Sequence, residues 1–181
     1  MQNTTNQVFV LNGNPCSGKN TFCEILNNII PTLHYSYVDF TRHMLDAVKI
    51  DYSEKTEKTR KFLEGVNDCL EQYDDIPFKD ICDITNDFLN GEIENCHLLF
   101  IDIRKPENIK RFVEKFKGAR TIYVEDNKPT STVTLSDSLV KEFNYDFCII
   151  NESGLDQLKN NAIRFIENAG LNLIPVPSER R

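Results

Sequence analysis

The chain has 181 residues, 27% charged and 40% hydrophobic, a globular composition that excludes a fibre and wholesale disorder. That length fits one domain that buries about two-thirds of its unfolded surface, without disulfides or metals to staple it. Twenty-one basic and 28 acidic residues leave a net charge of −7, which makes DNA or RNA a poor partner, although a local site can still take a small phosphorylated ligand.

The six cysteines (Cys16, Cys23, Cys69, Cys82, Cys96 and Cys148) form no C-x-x-C pair and sit mostly in apolar runs. They read as small buried hydrophobes of a reducing cytosol, so a cytoplasmic protein is expected. The first ten residues are polar and run straight into a strand pattern, so no signal peptide is expected. No apolar stretch approaches the roughly 18 residues of a membrane span.

In chain order, residues 7–12 form a short β-forming apolar run that stops at Gly13, as a buried parallel strand would. A Gly/Pro/Ser loop follows. Thr21 to Ile30 then carries Phe22, Ile25, Leu26 and Ile29 at helical spacing, and Pro31 stops it. A second strand is expected over 34–38, ending at Asp39, and a short helix over 41–50. Residues 54–72 are charged but periodic, with Phe62, Val66, Cys69, Leu70 and Tyr73 on one face. A further helix is expected over 78–89. Residues 97–102 read as a third strand ending on Asp102, and Pro106 opens a helix to Lys117. Residues 120–124 and 146–150 complete five strands, separated by a polar Ser/Thr-rich loop over 125–138. A last helix begins near Leu155, and the tail over 171–181 follows.

Strands alternating with helices imply right-handed β-α-β units. The expected fold is α/β: three layers, with a five-stranded parallel sheet covered by helices on both faces. Its core would be 1–50 and 97–169, with a helical insertion at 51–96. Residues 51–100 hold 13 acids and 5 bases, a net −8 that leaves the rest of the chain near neutral.

The segment Gly13-Asn14-Pro15-Cys16-Ser17-Gly18-Lys19-Asn20-Thr21 follows a strand and opens a helix, the context a phosphate-binding loop requires. Glycines let the backbone wrap a phosphate, successive N–H groups and the helix N-terminus present positive charge to it, and Lys19 can reach its outer oxygens. The usual pattern has Ser or Thr directly after the Lys. Here Asn20 takes that place and the hydroxyl comes one later, at Thr21. Asp102 ends an apolar strand at the ligand edge of the sheet, where a carboxylate fits either Mg2+ binding through water or an ordinary capping turn. Arg104 fits a phosphate clamp or a solvated loop. Asp39, Arg42 and His43 follow the second strand at the same edge. Lys58, Arg60 and Lys61 form a basic cluster in the acidic segment, readable as an acceptor site or a solvated helix face. His34 and His97 sit in strands and read as structural.

Gly13–Thr21 resembles the phosphate loop of adenylate kinase and other nucleoside monophosphate kinases. Leu99-Phe100-Ile101-Asp102-Ile103-Arg104, Pro106–Ile109 and Gly118–Val124 are similar to the bacteriophage-type deoxynucleoside monophosphate kinases and to animal-type phosphomevalonate kinase. Tyr145–Leu155 fits the same pattern, and dephospho-CoA kinase has a similar end. The resemblance covers about 1–50 and 97–169 and implies a P-loop kinase. Gly13 to Thr21 and Asn151 would bind ATP, with Asn151 near the adenine. Thr21 and Asp102 would serve Mg2+, and Lys19 and Arg104 would act on phosphate. By position alone, Asp39 and Arg42 at the sheet edge and Arg60 in the basic cluster are the candidates to meet the acceptor, a small phosphorylated molecule. One departure stands out. Such kinases carry lid arginines, yet no arginine lies between Arg120 and Arg164, and 125–138 offers only Lys128. Either Arg104, Arg111 or Arg120 substitutes, or transferase activity is weak or absent.

Overall fold

A computed structural model describes residues 6–54, 56–126, 143–152 and 154–171. Five strands form one sheet: β1 (Gln7–Gly13), β2 (Thr32–Ser36), β3 (Leu98–Asp102), β4 (Arg120–Glu125) and β5 (Phe147–Ile150). Their spatial order is β2-β3-β1-β4-β5 and every neighbouring pair is parallel. The apolar runs of β1 and β3 take the centre because both of their faces are covered, while β2 is half-buried at an edge.

Six helices lie among the described residues: α1 (Lys19–Asn27), α2 (Asp39–Ala47), α3 (Glu57–Asp74), α4 (Ile76–Leu89), α5 (Pro106–Lys115) and α6 (Leu155–Asn168). One apolar core joins α1 and α6 to the sheet through Phe9, Phe22, Leu26, Phe100, Ile122 and Phe165. Phe9 stacks on Phe100 at 5.2 Å, and Phe165 meets Phe9 edge-on at the same distance. The opposite core joins α4 and α5 through Val10, Leu99, Ile101, Ile81, Phe88, Ile109 and Phe112. The expected three-layer α/β fold with five parallel strands is what the chain adopts. Most of the expected loop 125–138, and the tail beyond 171, lie outside the described residues.

Several expectations need correction. β2 runs over 32–36 rather than 34–38, because pairing with β3 begins as soon as Pro31 has passed. The Pro31 carbonyl already accepts from the N–H groups of His97 and Leu98. Asp39 therefore opens α2 instead of ending a strand, and its Oδ2 accepts from the Ser36 N–H at 2.7 Å. α1 starts at Lys19, inside the motif, with Gly18 as its cap. Of the cysteines, Cys23, Cys82 and Cys96 are buried, but Cys16, Cys69 and Cys148 are exposed.

The segment 51–96 splits in two. α4 is a core helix, with Phe78, Ile81, Cys82 and Phe88 buried against the sheet. α3 docks through polar contacts. Its buried residue is Asn67, whereas Phe62 is 41% and Tyr73 84% exposed. The expected apolar face is therefore turned inward only in part: Val66 and Leu70 are half-buried, while Phe62, Cys69 and Tyr73 are exposed. Thr41 Oγ1 donates to Asn67 Oδ1 at 3.0 Å, and Lys105 Nζ donates to Asp68 Oδ1 and Glu71 Oε2 at 2.8 and 2.7 Å.

Phe100 is fully buried between Phe9 and Phe22 at the centre of the first core. Phe100→Ala should cost about 3–5 kcal/mol of stability in a denaturant melt, through lost burial and the cavity left behind.

Candidate active site

The register of β1 decides where the site forms. Leu11 pairs with Asp102 of β3, and Gly13 pairs with Val124 of β4. The glycine loop and Asp102 thus emerge together at the C-terminal edge of the sheet, where ligands of open α/β folds bind.

The loop itself needs its glycines. Gly13 has φ 149° and Gly18 φ 99°, and Cys16 also takes a positive φ of 63°. A Cβ on Gly13 would run into the Val124 carbonyl oxygen and Ser17 Oγ, and one on Gly18 would lie 2.5 Å from Asn151 Nδ2. The Ser17 N–H donates to the Asn14 carbonyl at 3.1 Å, closing the turn. Lys19 is only 6% exposed, and its Nζ donates to the carbonyls of Gly13 at 2.8 Å and Asn14 at 3.0 Å. The ammonium is thereby held inside the curve of the loop. Ser17 Oγ is buried there with no hydrogen-bond partner. Pro15 is buried, Asn20 points to solvent and Thr21 is half-buried in the first turn of α1. Of the two positions after the lysine, only the later one, with the hydroxyl, is partly shielded from solvent.

Asn151 lies where its sequence position suggests, at the end of β5, but it grips the loop. Its Nδ2 donates to the Ser17 carbonyl at 2.8 Å, while its N–H donates to the Glu125 carbonyl, also at 2.8 Å. It braces the glycine-loop backbone from the end of β5, two strands away from β1.

Asp102 Oδ1 is buried without a hydrogen-bond partner, so one lone pair of this carboxylate is available to a ligand. Its neighbours register the charge. Burial pushes the Cys23 thiol well up, Asp102 adds to that and Lys19 opposes it. Burial lowers the His34 imidazole; Asp102 and Asp39 pull it upward, and Lys19 and Arg42 push it further down. The charges of Lys19, Asp102, Asp39 and Arg42 are thus all felt at His34, on the edge strand β2.

Asp39 and Arg42 form an ion pair at 2.7 Å on the first turn of α2. Arg60 is half-buried in the first half of α3, beside exposed Lys58 and Lys61, and Lys61 pairs with Glu57 at 2.8 Å. Arg104 is half-buried two residues beyond Asp102. Two of the proposed substitutes for lid arginines are engaged elsewhere. Arg120 begins β4 at the opposite end of the sheet, bonded to Gln7 and the Ala169 carbonyl. Arg111 pairs with Asp75 and lies 3.9 Å over the Phe78 ring. Only Arg104 of the three stands at the loop edge.

The sequence reading missed two groups. Asn12 is fully buried, and its Nδ2 donates to the Arg104 carbonyl at 3.1 Å and to Tyr145 Oη at 2.8 Å. Its visible signal was a carboxamide closing an otherwise apolar strand directly before a glycine. The second group is centred on Glu71 of α3, which accepts from Lys105, from Asn108 at 2.7 Å and from Tyr37 at 3.0 Å. No spacing rule joins these residues, since they come from three separate elements.

The donors present suit magnesium with a nucleotide better than a resident metal. Among the described residues no group of three or more His, Cys, Asp or Glu side chains forms a cage. Thr21 and the open oxygen of Asp102 are hard oxygen donors. They fit a cation that keeps its waters and takes its other ligands from phosphate.

No protein family and no curated protein matches the sequence. Solved structures do. The chain is similar to a shikimate kinase from Aquifex aeolicus, with a TM-score of 0.53 and 13% identity over 91% of this chain and 99% of that one. A thymidylate kinase from Candida albicans gives 0.52 and 12%, covering 95% and 96%. An unliganded sugar kinase from Janibacter sp. HTCC2649 gives 0.52 and 9%, covering 90% and 95%. At these identities the likeness concerns the fold, which is that of the P-loop kinases.

Gly18→Ala should lower the melting temperature, because the positive φ and the close approach to Asn151 both distort the loop. A second expectation concerns Glu71. Burial raises its pKa, but the Lys105, Asn108 and Tyr37 hydrogen bonds outweigh that and leave it below the ordinary value. A depressed carboxylate contributes stability above its unfolded pKa and loses it as pH falls through the folded one. Glu71→Gln should therefore cost about 1–3 kcal/mol at neutral pH, and the gap to wild type should shrink in melts below about pH 4.

Proposed function

We propose that the protein binds ATP with Mg2+ at Gly13–Thr21 and transfers the γ-phosphoryl group to a small phosphorylated acceptor, a (deoxy)nucleoside monophosphate. The observation that carries this reading is the pairing of a strained glycine loop around a buried lysine with a strand-end carboxylate that has an open oxygen, on a P-loop kinase fold.

The chain's own groups divide the work. Loop amides and the α1 N-terminus bind phosphate oxygens. Lys19 exchanges its two loop carbonyls for phosphate oxygens and follows the charge onto the transferred group. Thr21 and Asp102 hold the magnesium, which when bound screens the phosphate charge. Arg104 clamps a phosphate bidentately at the sheet edge. Asp39, Arg42 and Arg60 border the acceptor side, where Arg42 and Arg60 supply the positive charge. Catalysis is positioning plus electrostatic stabilisation, with no covalent enzyme intermediate.

A second reading has a specific observation in its favour: a nucleotide-binding regulatory protein without transferase activity. Arg111 and Arg120 are tied to structural partners, and an arginine at the transferred group contributes about three to five orders of magnitude in rate.

An ADP-release assay across the nucleoside monophosphates separates the two readings. The kinase reading predicts that at least one acceptor accelerates ADP formation well above the ATP-only rate. ATP binding with no acceleration by any of them supports the regulatory reading. Lys19→Ala should weaken ATP binding by about a hundredfold, the loss of one or two charge-assisted hydrogen bonds, and unchanged affinity would contradict both readings.

A further inference from the structure

Asn12 is an unusual residue for its place. It lies on the central strand, fully buried, between Leu11 and Gly13. A carboxamide there must be desolvated, so every one of its polar atoms needs a partner. All find one. Oδ1 accepts from the Gly13 N–H at 2.8 Å, and Nδ2 donates to the Arg104 carbonyl and to Tyr145 Oη. These partners fix the orientation of the amide, because a flipped group would face donor to donor and acceptor to acceptor.

The three partners belong to the three segments that build the site. Gly13 opens the phosphate loop. Arg104 follows Asp102, and Lys105 next to it is tied to Asp68 and Glu71 of α3. Tyr145 leads into β5 and Asn151, and its ring is stacked on Tyr123 at 5.3 Å. The Ile103 N–H donates to the Leu11 carbonyl at 3.2 Å, and the Asn12 carboxamide adds a side-chain link from the same strand to the next residue of the turn.

We propose that Asn12 is a positioning residue: it sets the spacing between the phosphate loop and the Asp102–Arg104 turn, so that both face one phosphate chain. It touches no ligand itself. Its effect passes through the Gly13 backbone and the Arg104 main chain. The proposal rests on the reading of Gly13–Thr21 as the ATP site.

The test is calorimetric titration of folded variants with Mg·ATP and, separately, with magnesium tripolyphosphate, well below each melting temperature. Asn12→Ala should weaken both ligands by a similar factor, about tenfold, since only phosphate contacts are misplaced. Asn12→Ser serves if the alanine variant does not fold, and should weaken both by a smaller factor. Phe112→Leu, in the α5 core, is a destabilised control that should bind both ligands as wild type does. Wild-type affinity in the folded Asn12 variants would overturn the proposal, as would an equal loss in the Phe112 control or a loss confined to ATP. Lys19→Ala separates the two levels. If it also binds Mg·ATP like wild type, the ATP reading itself falls and the role of Asn12 falls with it. If Lys19→Ala weakens binding and Asn12→Ala does not, only the positioning role fails.

Discussion

A buried ammonium governs this structure. Lys19 is withdrawn from water at the first position of α1, and a cation there must be compensated. The carbonyls of Gly13 and Asn14 can turn toward it only because the backbone at Gly13 and Gly18 takes values closed to other residues. Those conformations in turn demand close approach to Val124 on one side and Asn151 on the other. The parallel register that sets Gly13 against Val124 and Leu11 against Asp102 is therefore coupled to the loop's chemistry. A charge held by two backbone carbonyls in this way is poised to exchange them for stronger anionic acceptors.

The acidic charge of 51–100 takes on a different meaning in the folded chain. Asp68 and Glu71 are turned onto Lys105, Asp75 onto Arg111, Glu57 onto Lys61 and Asp74 onto Lys79. The exposed pairs among them stabilise little, but each reduces the repulsion a phosphorylated molecule would meet. The half-buried cluster around Glu71 matters more, because Tyr37, Lys105 and Asn108 converge on one carboxylate and fasten α3 to the core. Polar docking of this kind gives the helix a defined place while leaving Phe62 and Tyr73 in solvent.

Much of the fold was legible. Uninterrupted apolar runs such as Val8–Leu11 and Leu98–Ile101 mark strands buried on both faces, and alternation with helices leads directly to a parallel sheet. The strand–glycine loop–helix unit was legible because its glycines, lysine and helix start are contiguous. What escaped was information carried between distant segments. The start of β2 was set by hydrogen bonds from His97 and Leu98 to Pro31, and the inward face of α3 by Lys105. The engagement of Arg111 by Asp75 and of Arg120 by Ala169 likewise depends on partners 36 and 49 residues away. Asn12 looked like the end of a strand, and only the fold brings Arg104 and Tyr145 to it.

A crystal structure with Mg2+ and a non-hydrolysable ATP analogue separates a phosphate cradle from a plain helix-capping turn. If the loop cradles phosphate, Lys19 Nζ leaves the Gly13 and Asn14 carbonyls for the β- and γ-phosphate oxygens, with Thr21 and Asp102 on the magnesium side. An analogue bound elsewhere, with Lys19 still seated on its two carbonyls, rules the cradle out.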